Sequence, residues 1–213
     1  MPKDLLVKVC GMKEQHNIMQ LLELPIQYIG HIFYKKSSRY AIDTPNISLP
    51  TSIKKTGVFV NSELEEILQK VEDLSLTAIQ LHGNEHPELA KILQEKGLEV
   101  IKAFGIDEEF DWKQLEPFME SVDYFLFDSK SPAYGGTGQT FNWQKLHDYP
   151  YKKPYFLSGG LSLENLEEAL RFDDQRLIGL DLNSKFEIEP GIKNIENIKL
   201  ALKTIRNEQI SSK

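Results

Sequence analysis

Eight short apolar runs recur along this 213-residue chain, and each ends in small or polar residues. Runs of this length and composition are typical of β-strands. Segments with helical patterns separate most of them, so the chain alternates between the two kinds of element. The eight predicted strands are Leu5–Cys10, Tyr28–Phe33, Thr56–Val60, Ala78–His82, Val100–Phe104, Tyr124–Asp128, Pro154–Ser158 and Leu177–Leu182.

The segments between the runs have the periodicity of amphipathic helices. In Glu63–Val71, for example, the apolar residues recur at the spacing of one helical face. Tyr40–Lys54 contains Pro45 and Pro50, so no regular helix is expected there, and the pattern after the fifth strand is also weak. The predicted helices are Glu14–Leu24, Glu63–Val71, Pro87–Lys96, Leu163–Arg171 and Ile195–Ile205, several with Asn, Ser or Pro near the start.

Strands joined by crossover helices form parallel sheets, because each connection must return along the length of the sheet. Eight such units suit a doubly wound sheet or a closed (β/α)8 barrel. A doubly wound sheet usually has a G-x-G-x-x-G turn after its first strand, whereas this strand ends Cys10-Gly11-Met12. We therefore predict an α/β fold with one (β/α)8 TIM barrel domain over residues 1–213, of which Asn207–Lys213 forms a frayed polar tail.

Composition narrows the possible partners and location. The chain has 25 basic and 32 acidic residues, a formal net charge of −7, which argues against nucleic acid. No apolar run is long enough to span a membrane, and Leu5–Cys10, interrupted by Lys8, does not resemble a signal peptide. The single cysteine, Cys10, excludes an intramolecular disulfide. We expect a cytoplasmic protein without a membrane partner.

Polar residues concentrate where the predicted strands end. In a (β/α)8 barrel this edge carries the reactive groups, so the chemistry is expected there. The residues singled out are Lys8 and Cys10 on strand one, Arg39 after strand two, Gln80 and His82 on strand four, Asp128 on strand six, Gly159 and Gly160 after strand seven, and Asp181, Asn183 and Ser184 on and after strand eight.

Cys10 has two interpretations. A lone cysteine in a strand is often a small buried hydrophobe. At the carboxyl end of a barrel strand, a thiol can instead transfer protons when its surroundings favour the thiolate. Lys8 is two residues earlier and thus on the same face of the strand, where its ammonium group could favour the thiolate or could serve only a structural pair.

Two loops predict a phosphate site. Barrels often bind phosphate through backbone N–H groups after strands seven and eight, the positions of Gly159-Gly160 and Asn183-Ser184. Glycine allows close approach of the backbone to an anion, although a simple turn would also explain the pair. A second glycine-rich segment, Tyr134–Gly138, is either a lid or a plain connection.

Two aspartates and a histidine complete the candidates. Asp128 follows the apolar run Tyr124–Phe127 and is either a cap or a catalytic acid. Asp181 has a similar place and could bind backbone N–H groups, and His82 could orient a substrate or bind a carbonyl. The His, Cys and carboxylate residues do not have metal-site spacing, so no metal is expected.

Seven motifs in order resemble the phosphoribosylanthranilate isomerase family of tryptophan biosynthesis, and the resemblance covers almost the whole chain. The seven motifs are Lys8-Val9-Cys10-Gly11-Met12, Gly57-Val58-Phe59-Val60-Asn61, Gln80-Leu81-His82-Gly83-Asn84-Glu85, Phe127-Asp128-Ser129-Lys130, the segment 135–143 (GGTGQTFNW), Leu157-Ser158-Gly159-Gly160-Leu161 and Gly179-Leu180-Asp181-Leu182-Asn183-Ser184. The last motif is followed by Glu187, Pro190 and Gly191.

The resemblance implies an Amadori rearrangement of a phosphorylated sugar–anthranilate substrate without a cofactor. It places the general base on Cys10, the general acid on Asp128, and the contact to the anthranilate carboxylate on Arg39. It places phosphate binding on Gly159-Gly160 and Asn183-Ser184. We expect Lys8, Gln80, His82 and Asp181 to contribute to substrate binding, in a monomer or homodimer.

The chain departs from the family pattern in two loops. Ser37-Ser38-Arg39 replaces Ser-Pro-Arg, which removes a proline that would restrict the loop carrying Arg39. After strand eight the chain has Asn183-Ser184-Lys185-Phe186-Glu187 where Ser-Ser-Gly-Val-Glu is common. These departures concern the pose of Arg39 and the phosphate contacts, and neither touches the acid–base pair.

Two alternatives remain. The related isomerase of histidine biosynthesis performs the same kind of rearrangement, but it resembles two fused half-barrels and has an aspartate in place of Cys10. A non-catalytic barrel that binds a sugar phosphate as a regulator would keep Gly159-Gly160 without needing Cys10 and Asp128 to face each other.

Overall fold

The predicted strands close into a barrel. A computed structural model describes residues 5–130 and 140–211, with side chains through residue 206. Eight parallel strands form a closed sheet in the order of the sequence. Their bounds are β1 Leu6–Cys10, β2 Tyr28–Ile32, β3 Lys54–Phe59, β4 Ala78–Leu81, β5 Glu99–Ile106, β6 Tyr124–Ser129, β7 Tyr155–Leu157 and β8 Leu177–Leu182.

Five α-helices occupy the predicted positions with somewhat different ends. They are α1 Gln15–Leu22, α2 Leu64–Leu74, α3 Pro87–Glu95, α4 Leu166–Arg171 and α5 Ile195–Ser211. The Glu14 carboxylate caps α1 by accepting from the N–H groups of His16 and Asn17, and Pro87 opens α3. Because α5 continues to Ser211, it includes most of the segment expected to fray, and the fraying itself stays a prediction.

Three connections contain no α-helix in the part of the chain that the structure describes. The connection after β2 contains no helix, as its prolines predict. The described part of the connections after β5 and β6 contains the short 3₁₀ helices Trp112–Phe118 and Trp143–Asp148 instead. An Asp or Asn side chain caps the start of each, and Pro117 lies inside the first. A short hairpin follows β8, formed by β9 Glu187–Glu189 and β10 Ile192–Lys193.

The hydrophobic core has two layers. The larger lies between the outer face of the barrel and the helices around it. A smaller one fills the lower barrel interior, where Tyr28, Ile101, Leu126 and Phe156 pack together. Side chains on one strand alternate between the two layers, so Lys8 and Cys10 follow Leu6 on the inward face of β1. The interior thus changes from apolar at the amino ends of the strands to polar at their carboxyl ends.

Within the described residues, no helix combines the length and the apolar character needed to cross a membrane.

Candidate active site

A cavity of about 370 Å³ opens at the carboxyl ends of the strands. Residues from seven of the eight strands or their following loops reach it. Of the residues predicted from sequence, its lining includes Cys10, Arg39, Gln80, His82, Asp128, Asp181 and Asn183. A second cavity of about 640 Å³ adjoins it at His82 and Asp128, between the ends of β4, β5 and β6. The structure therefore brings these seven predicted residues together at the mouth of the barrel.

Cys10 is the last residue of β1 and lies beside a buried ion pair between Lys8 and Asp181. Lys8 Nζ donates to Asp181 Oδ1 at 3.0 Å, and the two side chains are 0% and 5% exposed. The pair joins the first and last strands of the barrel, where Lys8 and Asp181 are directly opposite each other. Burial opposes the charge of Lys8, but Asp181 and the Cys10 thiol more than offset it, so the pKa of Lys8 is raised. Lys8 is therefore a cation near neutral pH, on the same inward face as the thiol.

The thiol of Cys10 is held mainly in its protonated form. Burial raises the pKa of Cys10 and is its largest influence. Lys8 lowers this pKa, as the sequence predicted, but Asp181 opposes Lys8 and the net direction is upward. The predicted effect of Lys8 is thus present, although it does not prevail in the unliganded site. A thiol with a raised pKa is scarce as thiolate but is a stronger base when deprotonated.

The carboxyl group of Asp128 retains its proton to a higher pH than a typical surface carboxyl group does. Burial raises the pKa of Asp128 to about 6, despite the backbone N–H of Ser129, which stabilises the carboxylate. That N–H donates to Oδ1 at 2.7 Å, and the other oxygen, Oδ2, lies 3.6 Å from His82 Nε2. Near neutral pH a useful fraction of Asp128 therefore carries a proton, the condition that a general acid requires.

Arg39 is held by a carboxylate that the sequence interpretation gave no role. Arg39 Nε donates to Glu187 Oε1 at 2.9 Å, and Nη2 donates to Oε2 at 2.8 Å. Glu187 also accepts from the buried Lys193 Nζ and from the Gly191 N–H, so the β9–β10 hairpin anchors the guanidinium. The Ser37 hydroxyl accepts from the Arg39 N–H at 3.1 Å. These bonds order the loop in which Ser38 replaces the family's proline.

The predicted phosphate loops lie outside the lining of the 370 Å³ cavity, apart from Asn183. Gly159 and Gly160 both have left-handed backbones, with φ of 83° and 68°. A Cβ on Gly159 would lie 2.7 Å from Asp128 Oδ1, so this glycine is required beside the acid whether or not phosphate binds nearby. The Asn183 side chain accepts from Lys193 Nζ at 2.8 Å, and Ser184 starts a short 3₁₀ helix.

Several site residues were not found from sequence. Glu187 belonged to a family motif but had no assigned role. Lys193, which binds Asn183 and Glu187, and Gly30, which lies opposite Cys10 on β2, had no local signal. The glycine-rich segment Tyr134–Gly138, interpreted as a lid or a connection, lies outside the described residues. No group of three or more His, Cys, Asp or Glu side chains suited to a metal ion occurs in residues 5–130 and 140–211.

Comparison with known proteins shows which family this chain resembles. Residues 7–204 match the family model described as N-(5'-phosphoribosyl)anthranilate (PRA) isomerase. The chain is 41% identical to N-(5'-phosphoribosyl)anthranilate isomerase of Parabacteroides distasonis over 98% of this chain and 96% of the relative. The crystal structure of phosphoribosyl anthranilate isomerase from Thermotoga maritima superposes with a TM-score of 0.81 at 34% identity, covering 95% of this chain and 99% of that one.

A further solved structure is of such an isomerase in complex with reduced 1-(o-carboxyphenylamino)-1-deoxyribulose 5-phosphate. It superposes with a TM-score of 0.77 at 31% identity, over 95% of this chain and 99% of that one. The family model covers nearly the whole barrel, from β1 into α5. By this match and by its relatives, the chain belongs to the phosphoribosylanthranilate isomerase family.

Proposed function

We propose that this protein isomerises N-(5-phosphoribosyl)anthranilate to 1-(2-carboxyphenylamino)-1-deoxyribulose 5-phosphate, a step of tryptophan biosynthesis. One observation carries the proposal. Cys10 and Asp128 line the same cavity, and their environments suit them to a base and an acid respectively. The non-catalytic sugar-phosphate binder considered from sequence has no need of this pair.

The reaction begins with opening of the ribose ring. Protonated Asp128 donates its proton to the ring oxygen while the bond from C1 to that oxygen breaks. The lone pair of the anthranilate nitrogen forms a C1=N bond, which gives a protonated Schiff base. The pKa of about 6 keeps part of Asp128 protonated near neutrality, and Oδ2 is the oxygen that Ser129 leaves available for the transfer.

The second step is removal of the C2 proton. The Schiff base acidifies this proton because its nitrogen accepts the electron pair of the breaking C–H bond. The Cys10 thiolate takes the proton, with Lys8 below it as the nearest compensating cation. The resulting enolamine then gains a proton at C1 and loses one from the C2 hydroxyl, giving the ketone. Substrate and product have the same atoms and oxidation level, so the step needs no cofactor.

Binding of the two substrate anions is assigned to different groups at the mouth of the barrel. The Arg39 guanidinium faces the cavity while Glu187 holds its Nε and Nη2 groups, and it is proposed to bind the anthranilate carboxylate. Backbone N–H groups of Gly159-Gly160 and Asn183-Ser184 are proposed to bind the phosphate. We further propose that residues 1–213 form one domain and that it works in the cytoplasm, where a free catalytic thiol stays reduced. The choice between monomer and homodimer stays a prediction.

The test is a fluorescence assay on purified protein. An anthranilate phosphoribosyltransferase generates the labile substrate in place from anthranilate and phosphoribosyl pyrophosphate, and loss of substrate fluorescence reports isomerisation. We expect turnover by the wild type and a decrease of at least ~10²-fold in Cys10→Ala and in Asp128→Asn, the usual effect of losing a general base or acid. Circular dichroism and urea unfolding check that both variants fold. A folded wild type without turnover would favour the binding protein instead.

A further inference from the structure

His82 connects a buried amide to the candidate acid. Gln80 is 1% exposed, and its Nε2 lies 2.7 Å from His82 Nδ1. The other ring nitrogen, His82 Nε2, lies 3.6 Å from Asp128 Oδ2. Since Ser129 binds Oδ1, the imidazole faces the carboxyl oxygen that the mechanism uses. Gln80 lies on β4, and His82 directly after this strand, with its N–H bonded to the Phe59 carbonyl, so the end of the strand sets this line of three side chains.

The imidazole of His82 is neutral at physiological pH. Burial, together with the positive charges of Lys102 and Lys8, lowers the pKa of His82 to about 3. A neutral imidazole carries one N–H, and the hydrogen bond made by one nitrogen determines which nitrogen carries it. His82 can therefore act as a donor or an acceptor toward Asp128, but not as both.

The partners on each side favour the tautomer with the proton on Nε2. An amide N–H of Gln80 that donates to Nδ1 leaves the ring proton on Nε2. Oxygen Oδ2 of Asp128 can accept a hydrogen bond whether Asp128 is protonated or ionised, whereas a bare Nε2 would repel the ionised carboxylate. The Nε2–H tautomer is thus compatible with Asp128 before and after it gives up its proton.

We infer that Gln80 is a positioning residue that fixes His82 as its neutral Nε2–H tautomer, so that His82 presents an N–H to Asp128 Oδ2 throughout the reaction. The gap of 3.6 Å closes to a hydrogen bond as Asp128 becomes a carboxylate. His82 then stabilises the charge left on the acid without exchanging a proton itself, which is electrostatic preorganisation. From sequence we expected Gln80 to bind substrate, whereas in this inference Gln80 acts through His82.

The tautomer can be measured directly by ¹⁵N NMR of histidine-labelled protein. The chain has five histidines, and the His82→Gln variant assigns the resonances of His82 by their disappearance. We expect a pyridine-type Nδ1 and a pyrrole-type Nε2 in the wild type, unchanged between about pH 5 and 8. In Gln80→Met, which keeps the side-chain length but removes the donor, both nitrogens should shift toward a mixture of tautomers. A protonated Nδ1 in the wild type, or identical spectra in Gln80→Met, would overturn the inference.

The kinetic test, which rests on the proposed function, uses a matched pair of substitutions. His82→Gln keeps a neutral N–H donor near the position of Nε2, and His82→Leu removes it. We expect His82→Leu and Gln80→Met to lower kcat about tenfold with little change in KM, the effect of one hydrogen bond made in the transition state. His82→Gln should retain most of kcat. If instead His82→Gln loses as much as His82→Leu, His82 transfers protons and the inference is wrong.

Failure of the two proposals can be told apart. A wild type that folds but does not turn over the substrate counts against the isomerase, while the NMR spectra still report the tautomer and its dependence on Gln80. Normal turnover with the wrong tautomer leaves the isomerase intact and removes the role of Gln80. If His82→Leu does not fold, as urea unfolding would reveal, the comparison of Gln80→Met with His82→Gln decides the kinetic question.

Discussion

Replacing Gly30 by alanine should disable the candidate base without removing it. Gly30 on β2 is directly opposite Cys10 on β1, with both on the inner face of the barrel. A Cβ at this position would lie 2.7 Å from Cys10 Sγ and 3.2 Å from Cys10 Cα. The sulfur can rotate away, but the contact with Cα requires the two strands to separate as well. The methyl group therefore displaces the thiol from the place that Lys8 and the cavity define.

The expected losses of kcat and of stability in Gly30→Ala can be worked from the structure. Relief of a contact of 2.7 Å to ordinary van der Waals distance moves the sulfur by about 1 Å. A misplacement of about 1 Å at a reacting group costs on the order of 10²-fold in rate. Overpacking of a filled interior costs about 1–3 kcal/mol in the free energy of unfolding. We therefore expect Gly30→Ala to lose about 10²-fold in kcat and about 1–3 kcal/mol of stability.

Gly57→Ala separates these two effects. A Cβ on Gly57 would lie 2.6 Å from the ring of Phe59 and 2.7 Å from Leu76, in the layer outside the barrel. It should destabilise the fold by a similar amount, since the interior there is equally full, but leave kcat near that of the wild type. Urea unfolding and the fluorescence assay measure the two quantities on each variant. Gly30→Ala with unchanged kcat, or equal losses of kcat in both variants, would refute the reasoning.

Two other predictions concern charge. Burial raises the pKa of Cys10, so alkylation of this single thiol by iodoacetamide should accelerate with pH to a midpoint above the ordinary thiol pKa. Because Lys8 lowers the pKa of Cys10, Lys8→Met should move that midpoint higher. A midpoint below the ordinary value in the wild type would contradict the assignment. Arg39→Lys should raise KM at least about tenfold and affect kcat less. One ammonium group cannot bind Glu187 and a substrate carboxylate together as a planar guanidinium can. Steady-state kinetics with an unchanged KM would show that Arg39 does not bind the carboxylate.

The barrel could be predicted because its signals are local. Each strand is an apolar run that ends at a polar residue, and α2 shows its periodicity within Leu64–Leu74. The 3₁₀ helices were missed because they are short: Trp112–Phe118 contains a proline and Trp143–Asp148 has fewer than two α-helical turns. The β9–β10 hairpin was also missed, since strands of three and two residues carry almost no pattern.

Several residues that line the cavity could be predicted from the sequence, but their pairing could not. Cys10, Asp128 and Arg39 could be named because the carboxyl end of a barrel strand is a special position and because family motifs include them. The bond from Arg39 to Glu187 joins residues 148 apart, and the bond from Gln80 to His82 depends on side-chain direction within the barrel. Likewise, the direction of the Cys10 pKa depends on burial, which exceeds the contribution of the neighbouring lysine. Such balances depend on tertiary structure.

The ion pair between Lys8 and Asp181 also has a consequence for biosynthesis of the protein. Its two residues are 173 positions apart, and they join the first strand of the barrel to be synthesised to the last strand of the barrel. A nascent chain that still lacks β8 has the thiol and a lysine whose partner is missing, and an unpaired lysine is too costly to bury. The first strand therefore cannot settle into its final environment until β8 has been synthesised. Catalytic competence arises with closure of the barrel, so an incomplete chain is inactive even where its earlier strands have already paired.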